Sequence, residues 1–165
     1  MHIRKFEERD AKYILNWITS EKEFRMWSAN QYDTYPIKPS KLIQSYEERS
    51  HKERFFSLVF EDDFGRMVGH LILRYPPKDR KTIRIGFVIV DSTLRGHGYG
   101  KQMIKEAMKY AKENLGAEHF SLGVFSNNRV ALNCYKSLGF KIAERFKNGY
   151  EYYGNTWPWL EMVLN

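Results

Sequence analysis

From residue 83 to residue 116 the chain passes through a β-branched apolar run, a glycine-rich turn and an amphipathic repeat, and this succession constrains the fold more than any other feature. Residues 83–90 are nearly continuous in branched and aromatic side chains, the pattern of a strand shielded on both faces. Residues 101–113 bring Met103, Ile104, Ala107, Met108 and Ala111 onto one side of a helix, and Gly116 follows where a left-handed stop is needed. Residues 120–125 read as a strand again. A strand–helix–strand unit of this length is a crossover between parallel neighbours, so the chain must contain a sheet with at least one parallel pair.

The flanking segments read as a mixed α/β order. A short strand is expected at residues 3–6, then a helix capped by Asp10 with Ile14, Leu15 and Ile18 on one face. A polar and aromatic stretch at 24–35 is broken by Pro36 and Pro39, and Ser40 is placed to cap a helix carrying Leu42, Ile43 and Tyr46. Residues 55–60 and 67–73 flank Asp62-Asp63-Phe64-Gly65 as a hairpin. Beyond the crossover, residues 128–137 read as a helix, Gly139-Phe140 opens a strand, and residues 160–164 form the last one. No repeat or linker divides the 165 residues, which form a single domain.

The turn itself is Arg95-Gly96-His97-Gly98-Tyr99-Gly100-Lys101. Glycines let a ligand approach main-chain N–H groups, and the helix that starts there adds unpaired donors and the positive end of its dipole. Arg95 and Lys101 bracket this nest with charge, so it suits a pyrophosphate. A P-loop would need GxxxxGK followed by Ser or Thr, but Gln102 follows Lys101 at too short a spacing. The dinucleotide fingerprint would need GxGxxG at a first βαβ unit, and this turn reads GxGxG in mid-chain.

What remains is Arg-x-x-Gly-x-Gly, formed by Arg95, Gly98 and Gly100 directly after Val88-Ile89-Val90-Asp91. Downstream stands Asn128-x-x-Ala131-x-x-x-Tyr135-x-x-x-Gly139-Phe140. With these two motifs in this order, the chain resembles the GNAT N-acetyltransferase superfamily over about residues 83–146. The resemblance implies one domain with a mixed, mostly antiparallel sheet of about six to seven strands, a splayed central pair, and helices on both faces.

The same resemblance implies acetyl-CoA as co-substrate and an amine as acceptor. Phe87, Val88, Ile89 and Val90 would meet the pantetheine arm through main chain. Arg95, Gly96, His97, Gly98, Tyr99, Gly100 and Lys101 would hold the pyrophosphate. A strand N–H near Val88 would polarise the thioester oxygen, and Tyr135 would be the general acid for the departing thiolate. Asn128 would contact the cofactor arm, although Asn at a helix start also caps it. Family members often carry a glutamate base on the strand before the turn. Here that strand has none and carries Arg84, which leaves Glu23, Glu151 and Glu161 to be weighed, or an amine already neutral.

Composition excludes other classes. Cys134 is the only cysteine, so no internal disulfide or paired-cysteine zinc site can form, and the five histidines have no metal-ligand spacing. The net charge is +7, but acids are interleaved with the bases, which disfavours nucleic acid as a partner and suits a polyanionic co-substrate. The charged N-terminus lacks a signal peptide's apolar run and no stretch reaches bilayer length, so a cytoplasmic protein without a membrane partner is expected. A homodimer is compatible with the resemblance. Aromatic residues early (Trp17, Phe24, Trp27, Tyr32, Tyr35) and late (Tyr150, Tyr152, Tyr153, Trp157, Trp159) either wall an acceptor site or pack the sheet ends. The acceptor is a small amine or a protein N-terminus, and a non-catalytic CoA-binding module is the alternative to an enzyme.

Overall fold

The computed structural model describes residues 1–52 and 54–165. Its strands are β1 (His2–Lys5), β2 (Phe55–Glu61), β3 (Met67–Arg74), β4 (Thr82–Val90), β5 (His119–Phe125), β6 (Lys141–Tyr152) and β7 (Asn155–Leu164). They form one sheet in the order β1-β2-β3-β4-β5-β7-β6. Only β4 and β5 run parallel, joined by the crossover the sequence requires, and their register covers Thr82↔His119 to Ile85↔Leu122. Past Ile85 and Leu122 the two strands have no paired residues. The central pair is therefore splayed at its C-terminal end, in agreement with the expected fold.

Helices cover both faces. On one side α1 (Ala11–Asn16), α2 (Glu21–Ser28) and α3 (Pro39–Lys52) enclose Phe24, Leu42, Tyr46, Ile72, Phe87 and Ile89. On the other, α4 (Tyr99–Leu115) and α5 (Arg129–Ser137) enclose Leu71, Ile83, Ile85, Met103, Ile104, Leu122 and Leu132. Met103 and Ile104 are each 1% exposed, and each burial contributes roughly 1.5–3 kcal/mol before entropic losses. Gly116 ends α4 in the left-handed conformation, φ +68°, as its position predicts.

Strand β4 changes face partway along. Ile83 and Ile85 belong to the α4 side, whereas Phe87 and Ile89 belong to the α1–α3 side. Alternate residues of a regular strand share a face, so an extra residue must intervene. It does so where the β3 register jumps from Ile72↔Gly86 to His70↔Ile89, leaving Phe87 and Val88 opposite Leu71 alone. Phe87 sits at φ +48°. This is a β-bulge with a bulky residue in a left-handed conformation, which costs roughly 1–3 kcal/mol unless its surroundings impose it.

Four local expectations are corrected. Asp10 does not cap α1; its carboxylate accepts from the Glu7 N–H at 2.7 Å and from both Arg4 Nη atoms, and it ends a 3-10 turn, Glu8–Asp10. The stretch at 24–35 is in part helical, because Ser20 caps α2 by accepting from Glu23 N–H. Burial along β4 alternates between full and partial, where equal shielding of both faces was expected. The last strand begins at Asn155, five residues ahead of the expected start, because Trp157 buries itself against Phe125.

Candidate active site

The glycine turn follows a 3-10 turn, Ser92–Leu94, and runs into the N-terminus of α4. Asp91 holds its entrance: the carboxylate accepts from Thr93 N–H and Oγ1 and pairs with Arg66 at 3.0 Å. Burial alone would raise the Asp91 pKa, but the Thr93 hydrogen bonds and, after them, the Arg66 guanidinium hold it below the usual carboxylate value. Gly96 and Gly98 lie at φ +81° and +83°, a conformation that L side chains resist, so the turn needs glycine at both positions. The first α4 bond is Gln102 N–H to Gly98 O. The N–H groups of Tyr99, Gly100 and Lys101 are thus the orphan donors of a helix start. A cradle of unpaired donors of this kind at a helix start suits a pyrophosphate, the group expected there from the sequence.

Not every predicted side chain faces that cradle. The Arg95 guanidinium forms an ion pair with Glu23 and donates to Trp17 O at 2.8 Å and Val90 O at 3.2 Å. It ties the turn to Trp17 at the end of α1 and to Glu23 on α2. His97 is exposed, with Nδ1 2.9 Å from Arg95 O. Lys101 lies close enough to Cys134 on α5 to act electrostatically on its thiol.

Tyr135 and Asn128 both come from α5. Asn128 caps the helix, its side chain accepting from Ala131 N–H at 3.3 Å. Tyr135 is 6% exposed and packs edge-on to Phe140. Its hydroxyl has no hydrogen-bond partner among the described residues. Burial, with the neighbouring Cys134, pushes the phenol well above its ordinary pKa. Tyr135 and the bulge at Phe87–Val88 thus stand on elements that flank the splay of β4 from β5.

The three carboxylates weighed as bases are already engaged. Glu23 pairs with Arg95, Glu161 is held by both Nη atoms of Arg84, and Glu151 accepts from Thr156 Oγ1. Each of the three therefore already has a partner for at least one of its oxygens.

Most of the aromatic residues pack the structure. Trp17, Phe24 and Tyr32 are buried among α1–α3 and the sheet, and Trp157 stacks with Tyr150 and Tyr152. Two reach across the site. Trp27 donates its indole N–H to Phe87 O at 2.9 Å, and Tyr153, at the tip of the β6–β7 hairpin, donates to Glu21 Oε2 at 3.0 Å. Neither link is readable from spacing, because 60 and 132 residues separate the partners. A cleft of about 290 Å³ between α1 and residues 35–39 shares no residue with the glycine turn.

Residues 12–140 match the model of the Acetyltransferase (GNAT) family. Among curated relatives, a putative phosphinothricin acetyltransferase from Bacillus subtilis is 27% identical over 85% of this chain and 83% of its own length. An N-terminal acetyltransferase complex ARD1 subunit homolog from Dictyostelium discoideum is 34% identical over 74% of this chain. The chain spans 62% of that relative, and 59% and 54% of two others. A crystal structure of spermidine N-acetyltransferase from Vibrio cholerae in complex with CoA and spermine superposes with a TM-score of 0.82, at 18% identity, covering 99% of this chain and 94% of that one. At that identity the likeness speaks to the fold.

Proposed function

Because the chain belongs to the GNAT acetyltransferase family, we propose that it transfers an acetyl group from acetyl-CoA to a primary amine of a small molecule or a protein N-terminus, by direct attack. One observation carries this reading: the cradle of free N–H groups at the start of α4 adjoins the opened end of the β4–β5 pair. A pyrophosphate in the first would let a pantetheine arm lie along Phe87, Val88, Ile89 and Val90 in the second.

Acetyl-CoA supplies the activated acyl group, and the chain positions it and manages charge. The Val88 N–H meets the thioester oxygen as negative charge builds there. The three carboxylates weighed as bases are all engaged, so the amine enters neutral, and its attack forms the C–N bond as the C–S bond breaks. The nitrogen loses one proton to solvent and the sulfur gains one. Tyr135 cannot simply hand its proton to a free thiolate. A phenol at about pKa 10 is a weaker acid than a thiol at about 8.5, and burial widens that gap. The phenol therefore donates a hydrogen bond to the sulfur as it becomes anionic, and passes a proton only in concert with its replacement.

No helix among the described residues is long and apolar enough to cross a membrane. A cytoplasmic site of action and a homodimer belong to the same proposal; pairing would cover Phe146 on β6, 43% exposed. The engagement of every weighed carboxylate also favours a second reading, a CoA-binding module without turnover. Calorimetric titration with acetyl-CoA, followed by thiol detection of released CoA across small amines and N-terminal peptides, separates the two. Micromolar binding with turnover supports the enzyme, binding without turnover on every amine supports the module, and no binding removes both.

A further inference from the structure

Phe87 holds a left-handed φ of +48° in the middle of a strand, and neither it nor Val88 has a register partner on β3 or β5. A bulky residue keeps such a conformation only where its surroundings leave no alternative. Trp27 on α2 supplies that constraint twice. Its ring packs on the Phe87 ring at 4.9 Å between centroids, and its Nε1–H donates to the Phe87 carbonyl at 2.9 Å. The peptide joining Phe87 to Val88 is trans, so the Val88 N–H points opposite to that carbonyl and away from Trp27. Fixing one end of the peptide fixes the other.

We propose that Trp27 is a positioning residue for acetyl transfer: its indole N–H holds the Phe87 carbonyl so that the Val88 N–H stays aimed at the thioester oxygen. The inference rests on the acetyltransferase reading and adds to it a residue outside both sequence motifs. A donor gains most when it is already oriented before charge develops, so releasing this peptide lowers the rate of the chemical step while leaving both substrates bound.

The test is Trp27→Phe, which keeps an aromatic ring against Phe87 and removes the N–H together with part of the indole. Expected is a fall in kcat of roughly tenfold to a hundredfold, with KM for both substrates within about twofold and the fold retained at a somewhat lower Tm. The carbonyl stretch of [1-13C]acetyl-CoA bound to the variant should move back towards its free value. A folded variant with unchanged kcat and unchanged carbonyl stretch overturns the proposal, and so does a change confined to Tm or KM. Should the variant not fold, the wild-type indole resonance decides. The Trp27 Nε1–H signal should differ between the acetyl-CoA and CoA complexes, and identical signals overturn the proposal. A wild-type protein that neither binds acetyl-CoA nor releases CoA would instead remove the parent reading, before any variant is made.

Discussion

The indole of Trp159 on β7 lies across Gly123 on β5, so close that a Cβ at Gly123 would stand 1.6 Å from Cζ2 and 2.4 Å from Cε2. The glycine is there to admit the ring, since its own φ is ordinary. Trp159 in turn roofs the first β5 position past the paired stretch, where the strands part. Gly123→Ala should therefore destabilise the protein by about 3 kcal/mol, because a fused ring against a strand cannot yield as a flexible chain would. Urea unfolding reads the loss. In a Trp159→Ala background the same alanine should be nearly neutral, and equal penalties in both backgrounds would refute the contact as the cause.

Tyr135→Phe should bind acetyl-CoA with a Kd within about twofold of wild type and lose roughly a hundredfold in kcat. The buried phenol stays protonated far above neutrality. The wild-type rate should accordingly rise with pH as the amine loses its proton, then level off without falling before about pH 10. A descending limb between pH 8 and pH 9.5 would show that a different acid does the work.

Gly98→Ala forces a side chain into φ +83° at the N-cap of α4, although nothing lies within 4 Å of the new Cβ. The penalty is conformational, about 1–2 kcal/mol. The turn can relieve it only by rotating the N–H groups out of the cradle. Acetyl-CoA should bind at least roughly tenfold more weakly by calorimetry, while the fold survives. Unaltered affinity would mean that the turn does not hold the phosphates.

His70 is fully buried between two hydrogen bonds. Its Nδ1 lies 2.9 Å from Leu58 O and its Nε2 2.8 Å from Tyr46 Oη. A carbonyl only accepts, so Nδ1 carries the proton, and Tyr46 donates to Nε2. Burial pushes the imidazole down from 6.5 to about 4, against the smaller opposing effect of the Leu58 carbonyl. Between those values the unfolded chain binds a proton that the folded chain refuses. Stability therefore falls as pH drops from 6.5 towards 4, by about 1.4 kcal/mol per unit at most, and is level below that. Denaturant titrations of wild type and His70→Gln across this range should give curves that converge on acidification. Parallel curves would show that His70 titrates normally.

The crossover was readable because its parts report locally: branched residues for β4, a helical stripe for α4, glycines for the turn. Tyr135 was readable from its place in a motif. The α2 helix was not recognised, although Ser20-x-x-Glu23 is a capping signature, because its aromatic residues obscure the apolar stripe. Asp10 misled because a carboxylate near a helix start can serve a guanidinium as well as a backbone donor, and Arg4 lies on the neighbouring strand. The bulge at Phe87 had no local signal. The left-handed phenylalanine is held in part by a tryptophan 60 residues away, and spacing does not encode such a contact. Arg95 was legible as a cation but not as a strut to Glu23.

Four residue pairs are all that join β4 to β5. On one side of that seam lie four strands in antiparallel sequence, on the other three, and α4 is the covalent clasp between them. The molecule is built as two half-sheets hinged at the closed end of a wedge. A co-substrate lying in the wedge would bridge edges that the protein leaves unbridged, so that stiffness across the middle of the sheet is borrowed from the ligand and returned when the product departs.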